Sequence, residues 1–221
     1  VALGAAVACA VLTGALVVYE LGTNNFIATV TPDEHRYTHP NWSPDGTRIV
    51  ATRAVGAMMS DMTVSGTEIV TATWDGSKLS NLEVLIADEP GISFYYPAFS
   101  PDGEWIVFNR STGDCYADDD AELWLVAASG GEPVRLDAAN GVGAMRNSLA
   151  RWAPLPDDDV LWLAFSSRQG QGTSVGSASQ IWVTAIDPEL MSVGYDPSAA
   201  PYWLPGQSAY SDNHLPVWWS Q

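Results

Sequence analysis

The chain has 221 residues, of which 26 are acidic and 9 basic, giving a net charge of −17. No basic stripe is available to neutralise phosphates or anionic lipid heads, so nucleic acid and direct membrane-surface docking are excluded. Ten Trp beside 19 Gly and 14 Pro is the composition of short strands and tight turns, in a length that holds one large all-β domain or two small ones.

Residues 1–19 are uncharged. A membrane or signal segment is one reading of such a run. However, it is only weakly apolar, rich in Ala and Gly, and its end, Leu16-Val17-Val18-Tyr19, belongs to a repeat. A buried strand pair is therefore expected there.

Two sequence boxes recur along the chain. The first reads HPNWSPDGTRIVATR at 39–53 and YPAFSPDGEWIVFNR at 96–110, then returns degenerated at 149–168 and as APYWLPGQ at 200–207. It aligns Trp42, Phe99, Trp152 and Trp203, spaced 57, 53 and 51 residues apart, and Pro44, Pro101, Pro154 and Pro205. The second box places Leu16, Ile69, Leu123 and Ile181 at the head of apolar runs, 53, 54 and 58 residues apart. Two boxes interlaced on one period mark a repeat architecture.

The chemistry of the first box is that of a hairpin turn. Pro44 and Pro101 pre-set φ, Asp45 and Asp102 can bond the turn backbone, and Gly46 and Gly103 supply positive φ. In the third copy Leu155-Pro156-Asp157 replaces Asp-Gly, so a longer turn is expected. Each period holds about four short strands, one blade of a β-propeller. The recurrent Trp and Phe are expected to fill the layers between blades.

The expected fold is thus all-β, a propeller of four-stranded antiparallel blades. About four blades are visible, as part of a larger ring of six or more. Residues 1–37 read as the end of a preceding blade, 38–95, 96–148 and 149–200 as blades, and 201–221 as closing strands, with Leu215-Pro216-Val217-Trp218-Trp219 forming the last of them.

The runs WSPDGTRIV and FSPDGEWIV resemble the repeats of TolB-like β-propellers, a family of bacterial secreted and periplasmic proteins. The resemblance extends over nearly the whole chain. It implies a periplasmic or extracellular location and a non-catalytic scaffold that contacts protein partners in an envelope or extracellular assembly. The partner is expected at the channel mouth or along the loops 54–66, 111–121, 141–148 and 168–179. Two alternatives accompany it: the propeller portion of a larger secreted enzyme with its catalytic domain upstream, and a membrane-anchored accessory subunit using residues 1–19. Contact with a membrane would run through a partner or that anchor.

Chemistry-bearing motifs are sparse. No Gly-x-Ser-x-Gly elbow, Walker loop or dinucleotide fingerprint occurs, and no catalytic residue or organic cofactor is assigned. Asp114, Asp118, Asp119 and Asp120 lie close together in one loop. As oxygen donors they are the candidates for Ca²⁺, although the EF-hand pattern is not met and a solvated loop is the plainer reading. His39 and His214 could meet at a metal only if the ring brings them together; His35 completes the three histidines. Cys9 and Cys115 form no Cys-x-x-Cys pair, so both a disulfide and two buried thiols are compatible with them.

Overall fold

The computed structural model describes residues 5–10, 14–20, 26–29, 33–56, 64, 66–113, 115, 118–143, 145–154, 160–170, 178–208 and 210–218. Residues 5–10, 20 and 26–29 are described as backbone. Four antiparallel sheets follow one another along the chain. The first holds β1 (Ala5–Ala10), β2 (Ala15–Glu20) and β3 (Phe26–Thr29). The second holds β4 (Arg36–Trp42), β5 (Arg48–Ala54), β6 (Thr67–Trp74) and β7 (Leu79–Ile86). The third holds β8 (Ser93–Phe99), β9 (Trp105–Ser111), β10 (Glu122–Ala127) and β11 (Val134–Arg135). The fourth holds β12 (Ser148–Trp152), β13 (Leu161–Ser167), β14 (Gln180–Ile186) and β15 (Tyr202–Trp203). Short helices α1 (Asp137–Asn140) and α2 (Pro188–Ser192) lie in connections.

In the three four-stranded sheets the strands pair in chain order, as meanders. β4, β8 and β12 pack successively against one another, which makes them the innermost strands around a common axis. The alternation of side chains along each strand then divides the core into layers. On β5, Ile49 and Ala51 face back to Leu16 and Val18, while Val50 faces forward to Phe94, Ile106 and Phe108. On β9, Val107 joins the next layer with Leu123, Leu125, Trp152, Leu163 and Phe165. Both faces of the middle sheets are covered by a neighbour, so β5, β6, β9 and β10 carry buried side chains at successive positions.

The Ser-Pro-Asp-Gly boxes form the turns between the first and second strands. Ser43 Oγ donates to Asp45 at 2.6 Å, the Thr47 N–H donates to the same carboxylate at 3.0 Å, and the Gly46 N–H donates to the Ser43 carbonyl at 2.9 Å. Ser100, Asp102 and Gly103 repeat the arrangement. Gly46 and Gly103 have φ of 70° and 77°. The serine, which also accepts the Arg48 or Trp105 N–H, is as much a part of the turn as the aspartate. Pro154 stands where the third turn begins, and residues 155–159 lie outside the described part.

Three expectations are corrected. Trp42, Phe99 and Trp152 end innermost strands, but Trp203 ends β15, the outermost strand of the fourth sheet, paired with Trp182. After it the Gln207 side chain accepts the Ile181 N–H and donates to the Ile181 carbonyl, at 2.7 and 2.8 Å. A side-chain amide thus continues the ladder and the hairpin of the other copies is not made.

Residues 204–218 contain no strand among those described. They run back across the sheet end, where the Asn213 N–H bonds the Ser179 carbonyl, and reach Arg151 through Trp218. Trp219 lies outside the described residues.

The blade limits also move. β8 and β12 span the divisions at 95/96 and 148/149, and the real connections are 87–92 and 136–147. At the N-terminus the uncharged run forms the β1–β2 pair. No helix among the described residues is long and apolar enough to cross a membrane.

Candidate functional site

The innermost strands share an irregularity that sequence alone does not reveal. Each shifts register against its neighbour: β4 between Thr38 and Asn41, β8 between Tyr95 and Ala98, β12 between Ser148 and Arg151. Within each shift one non-glycine residue is left-handed: His39, Tyr96 and Leu149, with φ of 48°, 50° and 59°. Such bulges leave a residue unpaired and re-aim its side chain. Pro40 and Pro97 follow two of them, at the one place in a paired strand where a missing N–H costs nothing.

The bulges bring His39, Pro40, Asn41, Tyr96, Pro97 and Arg151 around a cavity of about 140 Å³. The His39 and Tyr96 rings stand 4.1 Å apart between centroids, tilted by 51°. His39 Nδ1 is shut from solvent and has no hydrogen-bond partner. Burial, and then the neighbouring Arg151 charge, push its pKa down to about 3, so the imidazole is neutral. Asn41 gives its carbonyl oxygen to the Phe99 N–H at 3.0 Å, leaving its amide nitrogen for the cavity.

Arg151 is the unusual member. Arg53 sits on Asp33 and Glu68, Arg110 on Glu89, Arg135 on Glu122 and Asp137, and Arg146 and Arg168 on Asp119. Arg48 and Arg151 meet no carboxylate among the described residues: Arg48 donates to the Ala128 carbonyl at 2.8 Å and lies over the Phe99 ring, while Arg151, on the cavity, donates from Nη1 to the Ala150 carbonyl at 2.9 Å. Burial pulls its pKa below the ordinary guanidinium value. The cavity therefore combines one uncompensated positive charge with neutral donors. A basic residue at 151, where the first two boxes carry Asn41 and Ala98, in so acidic a chain, was the one signal in the sequence that could have found it.

In the acidic loop the described carboxylates meet protein donors. Asp118 accepts from Ser111 Oγ at 2.8 Å, Asp120 from Thr112, and Asp119 from both Arg146 and Arg168. Each of these three carboxylates thus meets a protein donor. Among the described residues no three His, Cys, Asp or Glu side chains are grouped to hold a metal. Asp114 and the acidic run at 157–159 lie outside the described residues.

His39 and His214 line different cavities, the latter beside Arg146, Arg168 and Asp212, and His35 pairs with Asp33 at 3.1 Å. The Cys115 thiol is buried and donates to the Val64 carbonyl at 3.4 Å; the Cys9 side chain lies outside the described residues.

No protein-family model matches the chain, and no curated protein matches it significantly. Solved structures do. An oligogalacturonate lyase from Vibrio parahaemolyticus is similar at 17% identity and a TM-score of 0.53, over 80% of this chain and 46% of that one. The Dos1 propeller is similar at 13% identity and a TM-score of 0.50, over 89% and 41%. A protein of Agrobacterium tumefaciens described as TolB aligns at 20% identity and a TM-score of 0.47, over 78% and 52%. The fold is that of a β-propeller, in line with the TolB-like repeats. The chain spans about half the length of these structures.

Proposed function

We propose that the chain is a non-catalytic propeller that docks a protein partner in a bacterial envelope or extracellular assembly. The observation that carries this reading is the uneven placing of exposed apolar side chains. Leu190, Val193, Tyr195, Tyr202, Leu204, Tyr210, Leu215 and Val217 are all exposed and all follow β14, whereas the other exposed large apolar side chains among the described residues, Tyr19, Val55, Val84 and Val142, are scattered.

Backbone pairings order several of them along the outer edge of the fourth sheet. Tyr195 follows α2 at one end, Tyr202 stands opposite Val183 midway, and the Leu204 N–H bonds the Ile181 carbonyl near the other end. A concentration of exposed apolar side chains on one part of an otherwise strongly acidic protein is the mark of an interaction surface.

The test is site-specific photo-crosslinking from position 204, with the triple variant Tyr195→Ser, Tyr202→Ser, Tyr210→Ser carrying the same crosslinker as control. A stoichiometric partner lost in the triple variant supports the reading. A partner-free monomer with catalytic turnover overturns it.

A second reading, the propeller portion of a larger secreted enzyme, draws on the polar cavity at the innermost strands and on the fold likeness to a lyase. It calls for turnover that is lost on substitution of the cavity residues.

A further inference from the structure

We propose that the cavity between the innermost strands is a binding site for a small-molecule carboxylate, with the Arg151 guanidinium as the anion-binding group and His39 and Asn41 as neutral donors beside it. The argument starts from charge. Acidic residues outnumber basic ones by 26 to 9, and five of the arginines sit on carboxylates. Random placement in such a chain would leave few arginines without an acid. Arg48 and Arg151 face none among the described residues; Arg48 is engaged by the Ala128 carbonyl and the Phe99 ring, whereas Arg151 lines a cavity at the innermost strands, and burial already disfavours its charge. A partly buried charge lacking a partner is costly to the fold, and an incoming anion relieves that cost.

The shape of the donor set selects the anion. A guanidinium presents parallel N–H groups that match the two oxygens of a planar carboxylate. His39 Nδ1, shut from solvent and unpartnered, and the Asn41 amide left over by the Phe99 bond are uncharged groups that suit a hydroxyl or carbonyl next to the carboxylate. The Tyr96 ring, 4.1 Å from His39, and Pro40 and Pro97 give the cavity its apolar walls. A volume of about 140 Å³ limits the occupant to a small molecule. The net charge opposes any anion at long range, but at physiological salt the repulsion is screened beyond about 8 Å, while the contact with Arg151 is not.

The experiment titrates L-lactate, its uncharged analogue lactamide and inorganic phosphate into the full chain at physiological salt. Calorimetry is read together with the NMR resonances of the His39 imidazole. Lactate is expected to saturate with one site per chain and to shift His39, with lactamide inert and phosphate weaker. Arg151→Gln is expected to lose about tenfold or more in lactate affinity with an unchanged circular dichroism spectrum. Should that variant fail to fold, His39→Gln, which keeps the guanidinium, is expected to bind lactate a few-fold more weakly while still rejecting lactamide.

Equal binding of lactate and lactamide, full lactate affinity in Arg151→Gln, or no saturation of the folded wild type overturns the site. Loss of the preference for lactate over lactamide in His39→Gln does the same. Phosphate binding tighter than lactate overturns the carboxylate class. Tighter binding of a short peptide with a free C-terminal carboxylate overturns the small-molecule assignment.

Discussion

Asn109 on β9 donates through Nδ2 to the backbone carbonyl of Asn147, just before β12, at 2.7 Å, and so joins the third sheet to the fourth. The same nitrogen donates to the Glu122 carbonyl at 3.0 Å, and Oδ1 accepts the Leu149 N–H at 3.3 Å. Asn147 in turn donates to Asn140, whose side chain bonds both backbone groups of Leu123. All three asparagines are buried. Asn109→Leu would strand several backbone groups without partners, at about 1–3 kcal/mol for each buried group left unsatisfied. A loss of about 3 kcal/mol in urea denaturation is expected. A double cycle with Asn140→Leu should show non-additivity, because the two belong to one network.

Gly103 tests the turn. Its φ is 77°, and an added Cβ would meet only Pro44 Cδ, at 3.6 Å. There is room for a methyl group, so the cost of Gly103→Ala is that of the left-handed backbone alone, roughly 1–2 kcal/mol. Gly14 is the contrast: its φ is 65° and a Cβ would lie 2.6 Å from Arg36 Cβ. Gly14→Ala is expected to lower the thermal midpoint further than Gly103→Ala.

These turns were legible in the sequence because their chemistry is local: Ser, Pro, Asp and Gly act within five residues of one another. The layered core was legible for a similar reason, since Ile49, Val50 and Ala51 alternate between two neighbours by strand geometry alone. The fourth Trp–Pro box misled because a short motif does not say which strand of a sheet carries it. There the Gln207 amide, 26 residues from Ile181 along the chain, decided the matter. For Arg151 the sequence offers only a basic residue where the other boxes carry Asn41 and Ala98, which does not by itself mark a site. Its distinction is to line a cavity with no facing carboxylate among the described residues, a property of strands more than fifty residues apart.

The acidic loop yields a prediction about metal. Asp119 is held by Arg146 and Arg168, and Asp118 and Asp120 by hydroxyl or backbone donors. Millimolar Ca²⁺ should therefore leave the thermal midpoint unchanged, since a ligand that stabilises must bind the native state. Asp119→Asn should cost less than about 1 kcal/mol, the range of exposed ion pairs. A Ca²⁺-dependent rise in the midpoint that Asp119→Asn abolishes would return the loop to metal binding.

His39 makes stability depend on pH in a definite direction. Burial first, and the Arg151 charge second, hold its folded pKa down to about 3, against about 6.5 in an unfolded chain. Between those values the unfolded state binds the proton and the folded state does not. Stability is thus fully present above pH 6.5 and falls as the pH drops toward 3. Asp45, whose pKa is lowered by its bonds to Ser43 and Thr47, acts in the same direction but only below the ordinary aspartate range, near 3.9. The two are therefore separable. His39→Gln should flatten the decline in urea midpoint between pH 6.5 and 4.5, and Asp45→Asn should leave that window unchanged. An unaltered slope in His39→Gln would mean that the imidazole is protonated in the folded chain.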